Sequence, residues 1–321
     1  MEGKMRRDTL VSVIIPTYNR AHLVTDALDS VYEQTYCLIE CIVVDDGSTD
    51  DTVEVVKVWK RAHSGDDFCA RLLRQENHGA PVARNHGMEA ARGDFLLFLD
   101  SDDVLPRNAI NTLRQTIIKE GVDAAYGDVL RVRKNGQNER QRQRPSSSSD
   151  VVNMQKGAPT TSSAMIRQDA IQGRGWREEL SCAQEFAFFL DLSLRGVRFA
   201  YEPTVVLKKH EDPDQDSISG QDDVDYPLTI SQILIDVESE IRSLSAPENM
   251  QYDRGLVHFA GILHRKGHRD KAKDLFRRAH RRRALKSALQ NWCSSVFLPA
   301  LLTPRWSAKV YNLFEKYTCR T

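Results

Sequence analysis

Leu10-Val11-Ser12-Val13-Ile14-Ile15 is a nearly continuous apolar, β-branched run closed by Pro16-Thr17-Tyr18-Asn19-Arg20, and Ile39-Glu40-Cys41-Ile42-Val43-Val44 is a second, closed by Asp45-Asp46-Gly47-Ser48. Runs of this length without polar alternation read as strands covered on both faces, the habit of a parallel sheet. Between them, residues 22–34 place Leu23, Ala27, Leu28 and Val31 at helical spacing, and residues 52–61 repeat the pattern with Val53, Val55, Val56 and Trp59. A third run at 70–73, a helix at 80–91 and a fourth strand at 95–99 continue the alternation. Strand and helix in strict succession predict an open, doubly wound α/β sheet whose ligand sits at the carboxyl ends of its strands.

Further along, a helix at 107–119 precedes a strand at 124–133, and Asn135-Gly136 signals a hairpin to a polar partner strand. The Gln-, Arg- and Ser-rich stretch 137–150 reads as a solvated, mobile loop without chemistry of its own. Order resumes at 160–167, followed by a Gly-rich turn at 173–176 and a helix at 182–195 with Phe186, Phe189, Leu190, Leu192 and Leu194 as apolar positions. Strands at 198–201 and 204–207 close this domain near residue 225, giving expected domains 1–225 and 226–321, the second basic and all-α. Within the second, 256–283 resembles one helical hairpin of a TPR-like pair, with Gly267 in the turn and Ala272, Leu275 and Ala279 packing. The stretch 289–316 mixes aromatic and aliphatic residues with flanking Arg and Lys, as an interfacial amphipathic helix does, although packing on its own domain fits equally.

The chain has 321 residues, long enough for one large domain and a smaller one, and 40% hydrophobic content rules out disorder. Lys+Arg and Asp+Glu balance at 45 each, which excludes a globally basic nucleic-acid binder. The balance hides an asymmetry: residues 251–321 hold 16 Lys/Arg against 4 Asp/Glu, a net +12, so residues 1–250 carry −12. The six cysteines form no C-x-x-C pair, which fits scattered reduced thiols. No run approaches the roughly 18 apolar residues of a membrane span, and the leading apolar stretch is too short for a signal peptide. A cytoplasmic protein, peripheral on the inner face of the membrane through residues 256–316 or docking a partner protein with them, is the expectation.

Two acidic clusters each follow a buried run: Asp45-Asp46 after Ile42-Val43-Val44, and Asp100-Ser101-Asp102-Asp103 after Phe95-Leu96-Leu97-Phe98-Leu99. Carboxylates just past strand ends lie in the ligand crevice and repel one another unless a cation or sugar hydroxyls satisfy them. A magnesium-like ion takes one or two carboxylates plus substrate phosphates. Paired Asp residues after strands also occur in receiver-like phosphoacceptor domains, which would leave the second half of the chain without a role.

The order and spacing of Val11–Arg20, of Val44-Asp45-Asp46-Gly47-Ser48-Thr49-Asp50-Asp51-Thr52, of 77–79 with Ala83-Arg84-Asn85-x-Gly87, and of Gly93-Asp94 with Asp100-Ser101-Asp102-Asp103 resemble a family 2 glycosyltransferase of the GT-A fold over residues 10–120. The resemblance implies a GT-A-type mixed sheet flanked by helices and an enzyme using a nucleotide-diphospho-sugar. It implies that Pro16, Thr17 and Tyr18 line the nucleobase pocket, Asp46 accepts from the base imide, Arg84 lies near base or diphosphate, Asp100 or Ser101 near the ribose, and Asp102 on Mn2+ or Mg2+. Beyond residue 120 the likeness thins. The acidic pair that opens a late helix in the family corresponds here to Gln184-Glu185, leaving Glu185 as the base; His210 matches a position that completes the metal or diphosphate site, and Trp176 an acceptor-side aromatic.

What the resemblance implies is an inverting, metal-dependent hexosyltransferase with a UDP-sugar as donor, giving one residue per encounter to a saccharide or lipid-linked acceptor, in cell-surface polysaccharide or glycolipid synthesis. No Gln-x-x-Arg-Trp motif of processive synthases is present. A catalytically inactive nucleotide-sugar-binding scaffold of the same fold is the alternative, motivated by Gln184.

Overall fold

A computed structural model of the chain describes residues 9–63, 68–133, 137–157, 159–171, 173, 175–211 and 225–280. The strands are β1 Val11–Thr17, β2 Ile39–Asp45, β3 Phe68–Arg74, β4 Phe95–Phe98, β5 Asp103–Val104, β6 Ala124–Arg133, β7 Glu139–Gln141, β8 Ala164–Arg167 and β9 Phe199–Glu211. The helices are α1 Val24–Tyr32, α2 Thr52–His63, α3 Ala80–Ala90, α4 Ala109–Glu120, α5 Asp150–Lys156, α6 Gln168–Ile171, α7 Gln184–Leu194, α8 Asp225–Asp236, α9 Glu238–Arg242, α10 Ala246–Arg265 and α11 Arg269–His280. One sheet runs in the order β3-β2-β1-β4-β8-β6-β9-β5, with β7 paired to β6. The first four strands are parallel, β8 is antiparallel to both neighbours, β6 and β9 run parallel, and β5 is antiparallel to β9.

The period-2 alternation of a strand sorts the apolar runs onto two faces. Val11, Val13 and Ile15 join Cys41, Val43, Phe95 and Leu97 in one core with Leu28 and Val31 of α1, Trp59 of α2 and Ile110, Leu113 and Ile117 of α4. On the other face α3 lies so close to β1 that a Cβ at Gly87 would overlap the Ile14 side chain. The polar residues near the start of the two central strands, Ser12 and Glu40, find partners, as burial demands. Ser12 Oγ donates to Glu40 Oε1 at 2.5 Å and accepts from Gly93 N at 2.8 Å, while Arg92 N donates to the same Glu40 oxygen at 2.6 Å.

Three expectations from the sequence need correction. The strands read at 198–201 and 204–207 are one strand: β9 pairs Gly127 with Glu202 but Asp128 with Val205, so Pro203 and Thr204 bulge out without ending it. The stretch 137–150 is not a free loop, since it contributes β7 and then wraps on buried polar side chains. Gln143 Nε2 donates to Gly127 O and to Ser163 Oγ, and Asn153 Oδ1 accepts from the amides of Ser146 and Ser147. His210 lies inside β9, opposite Val132, and not in a polar loop. The Asn135-Gly136 turn, the arginines at 281–283 and the amphipathic stretch 289–316 lie outside the described residues.

By compactness the chain divides into units 1–255 and 256–321. In the second, α10 continues to Arg265 and a turn at Gly267, whose φ of 92° suits glycine, leads into α11. Leu256, Val257, Ala260 and Leu263 are buried on one helix, and Ala272, Leu275 and Ala279 on the other. No described helix is long and apolar enough to cross a membrane.

Candidate active site

β2, β1 and β4 are parallel neighbours, so their carboxyl ends share one edge of the sheet. Thr17 is in register with Asp45, and Leu99 N reaches Ile14 O beyond the end of β4. Asp46, Tyr18 and Asp100 therefore follow three adjacent strand ends, with the two acidic clusters two strand spacings, or about 10 Å, apart.

Asp46 is buried and holds the next element in place. Oδ1 accepts from Gln75 Nε2 and His78 N, each at 2.9 Å, and Oδ2 from Gly79 N at 2.8 Å. These amides lead into α3, where a negative charge meets the positive helix end. Three of the carboxylate's roughly four acceptor sites are used, which leaves one open. Gly47 takes φ 78°, and a Cβ there would sit 2.9 Å from Asn77 N, so the loop after β2 closes on the loop before α3 only with glycine. Pro16 and Thr17 are buried, whereas the Tyr18 ring is 43% exposed. The next residue ties this turn to the loop after β2: Asn19 is left-handed at φ 51°, its N–H donates to Ser48 Oγ, and its Oδ1 accepts from Thr49 N at 2.8 Å.

Arg84, one turn into α3, is buried and lies between two elements. Nη2 donates to Asp100 Oδ1 at 2.8 Å and Nη1 to Gln184 Oε1 at 2.9 Å, with the guanidinium 4.5 Å above the Trp176 ring. The opposite face of Trp176 is stacked on Phe188 at 4.2 Å and 7°, and Phe98 meets it edge-on. Both faces are thus occupied and the ring is 2% exposed, so the acceptor-side stacking expected of Trp176 is replaced by core packing. Its backbone is pinned by Asn85, which accepts from Trp176 N and donates to Trp176 O.

Asp100, Asp102 and Asp103 offer carboxylate oxygens all within 4.8 Å of one another. Ser162, fully buried just before β8, ties two of them together: its Oγ donates to Asp103 Oδ2 at 2.8 Å and accepts from Asp100 N at 3.0 Å. Burial pushes the Asp103 carboxyl up to about 7, with Asp100 and Asp102 adding to the rise and Lys209 and Ser162 opposing it. Burial also raises Asp100, but the charges of Arg84 and Lys209 and the Arg84 hydrogen bond outweigh it and hold that carboxyl below its ordinary range. Ser101 is buried beside them.

Oxygen-only donors of this kind suit Mg2+ or Mn2+. Asp103 Oδ1 is buried without accepting a hydrogen bond, the condition in which a carboxylate oxygen has a vacancy for a cation. Thr17 Oγ1, Arg84 Nε and Trp176 Nε1 are likewise buried without hydrogen-bond partners along this edge. Glu185 is exposed in the first turn of α7, after Ala183 in a left-handed conformation at φ 55°. Such backbone strain concentrates at functional sites. His210 is exposed and stands outside the triad; successive strand side chains alternate, and it is its neighbour Lys209 that approaches Asp103, at 3.9 Å. The acidic cluster read from the sequence contained Asp103 but gave it no role of its own, and Ser162 and Lys209 were not read as site members; Lys209 adjoins His210, but only the β5–β9 pairing brings it to Asp103.

A mixed sheet with a parallel leading half, an acidic triad after its fourth strand and a carboxylate-bearing helix nearby defines a GT-A-like protein. Residues 12–189, just over half the chain, match the family described as Glycosyl transferase family 2, and the chain belongs to that family. It is 37% identical over 120 residues to the glycosyltransferase GlyG of Streptococcus pneumoniae, covering 37% of this chain and 38% of GlyG. It is 35% identical over 121 residues to the UDP-Glc:alpha-D-GlcNAc-diphosphoundecaprenol beta-1,3-glucosyltransferase WfgD of Escherichia coli, covering 38% of this chain and 46% of WfgD. The match therefore spans less than half the length of these curated relatives. Among solved structures, residues 1–349 of Staphylococcus aureus TarS in complex with UDP-GlcNAc superpose with TM-score 0.62 at 21% identity, over 77% of this chain and 72% of that one. The Pyrobaculum calidifontis mannosyltransferase PcManGT, with GDP-Man and Mn2+, superposes with TM-score 0.57 at 20% identity, over 98% and 89%.

Proposed function

We propose that the chain transfers a hexosyl residue from a UDP-sugar to an acceptor hydroxyl with inversion, one residue per encounter. The acceptor would be a saccharide or a lipid-linked saccharide in the synthesis of cell-surface polysaccharide or glycolipid. The observation that carries the reading is the Asp100-Asp102-Asp103 triad on the same sheet edge as Asp46 and the exposed Tyr18 ring. WfgD and the Campylobacter jejuni beta-1,3-glucosyltransferase, both named for undecaprenol-linked acceptors, support the acceptor class.

In this reading Tyr18 gives the base an aromatic face, and the open acceptor site of Asp46 takes its imide N–H. Arg84, fixed by Asp100 and Gln184, orients the diphosphate side of the cleft. Glu185, exposed at the start of α7, accepts the acceptor hydroxyl's proton as that oxygen attacks the anomeric carbon opposite the diphosphate. The three aspartates would hold the Mg2+ or Mn2+, which as a Lewis acid offsets charge on the departing diphosphate. A single base suffices because the diphosphate leaves without being protonated, unlike the two-carboxylate design of glycosidases.

Thermal-shift screening against nucleotide sugars, with and without Mn2+, tests the reading. UDP-sugars are expected to stabilise the wild type in a Mn2+-dependent manner, and Asp102→Ala to abolish the shift. A shift without Mn2+, or one retained in the variant, overturns it. Metal-dependent UDP binding without donor turnover on any saccharide acceptor instead favours the inactive scaffold, since Gln184 spends its amide on Arg84 and on Leu180 O.

A further inference from the structure

The β5–β9 pairing sets Asp103 directly across from Lys209, and the lysine's side chain is three-quarters buried. Its Nζ stands 3.9 Å from Asp103 Oδ1, too far for a hydrogen bond, and that oxygen accepts none. The ammonium is thus placed by strand register beside the triad without being consumed by it.

We infer that Lys209 is a positioning residue for sugar transfer: it is the built-in counter-charge of the triad, moderating the hold on the divalent cation and keeping the cleft positive enough to admit the donor's diphosphate. The inference rests on the proposed function. Counted as carboxylates, the three aspartates facing Arg84 and Lys209 leave a formal charge of minus one, which a divalent cation turns to plus one. Without Lys209 the loaded site is neutral, and the dianionic diphosphate meets no net attraction. The loss therefore acts with opposite sign on the two ligands. The cation, relieved of a like charge some 4 Å from the triad, binds more tightly, while the diphosphate binds more weakly.

The test uses the full chain at pH 8 and calorimetric titration, first with Mn2+ alone and then with UDP at saturating Mn2+. Wild type that binds neither ligand refutes the proposed function, and with it the premise of this inference. Given wild-type binding, Lys209→Gln is expected to tighten Mn2+ roughly three- to tenfold and weaken UDP by a similar factor, the order of one partly screened charge at that range. Lys209→Arg, which restores the charge, is expected to stay within about twofold of wild type for both. No change in Lys209→Gln, or a loss of both affinities together, overturns the counter-charge role. Should Lys209→Gln fail to fold, Lys209→Arg decides: a large change in its Mn2+ affinity shows that shape and not charge is what position 209 supplies.

Discussion

Asp103 is where burial and function conflict most openly. A carboxyl buried between Asp100, Asp102 and Ser162 binds its proton until about pH 7, whereas in the unfolded chain it releases it near 4. Its folded-state value is raised, so its stabilising contribution is fully present below about pH 4 and is lost as the pH rises through about 7. Asp100, depressed, contributes the other way, losing stability only in acid. The cation-free protein should therefore have a lower melting temperature at pH 8 than at pH 6, and Mg2+ or Mn2+ should recover more at pH 8, where no proton competes for the oxygen. Asp103→Asn should flatten the pH 6–8 dependence in EDTA. Differential scanning fluorimetry across that range checks both, and an equal cation shift at the two pH values would contradict the conflict. Asp46 and Asp102 could be read as site residues because each follows an apolar run. The Asp103–Lys209 and Asp103–Ser162 contacts could not, because they join positions 106 and 59 residues apart through strand pairing that no local pattern encodes.

At the level of elements, legibility followed the strength of the local pattern. β1, β2 and β4, whose apolar runs are interrupted at most once, were readable nearly to their ends, while β9 read as two strands because Pro203 interrupts it. The 137–150 stretch shows the opposite failure. Its polar composition suggests solvation, yet Asn153 in α5 anchors it: Oδ1 accepts from Ser146 N at 3.0 Å and Ser147 N at 2.9 Å, and Nδ2 donates to Ser147 O at 2.9 Å. A buried side-chain amide replacing strand partners leaves no signature in composition. Asn153→Ala strips all three bonds and should cost about 1–3 kcal/mol. Urea denaturation should report that loss together with faster tryptic cleavage after Arg140 or Arg142. A variant as stable and as protease-resistant as wild type would restore the view of this stretch as a free loop.

Across the whole molecule, the α/β class, the shared carboxyl edge and the family were legible from the first 120 residues, because β1, β2 and β4 each end in a turn that carries candidate site residues. The second unit is legible mainly as charge. Its described helix α11 buries Ala272, Leu275 and Ala279 while Arg269, Lys271 and Arg277 are exposed, within a region of net +12. Exposed basic side chains in a region of positive net charge, on a protein whose acceptor is proposed to be lipid-linked, are suited to an anionic bilayer, where each Lys or Arg near the surface contributes about 1 kcal/mol and the attraction decays over a Debye length of about 10 Å at 0.1 M salt. The full chain should co-sediment with phosphatidylglycerol vesicles at low salt, bind phosphatidylcholine vesicles far less, and be released as sodium chloride approaches 0.5 M, on the order of a halved screening length. Substituting Arg269, Lys271 and Arg277 together by Gln should lower vesicle affinity by on the order of tenfold or more, by the same per-residue value, while UDP and Mn2+ binding stay as in wild type. Salt-insensitive binding, or none to anionic vesicles, would assign this basic surface to a partner protein instead, since only a charged lipid surface demands both the salt dependence and the loss in the triple variant.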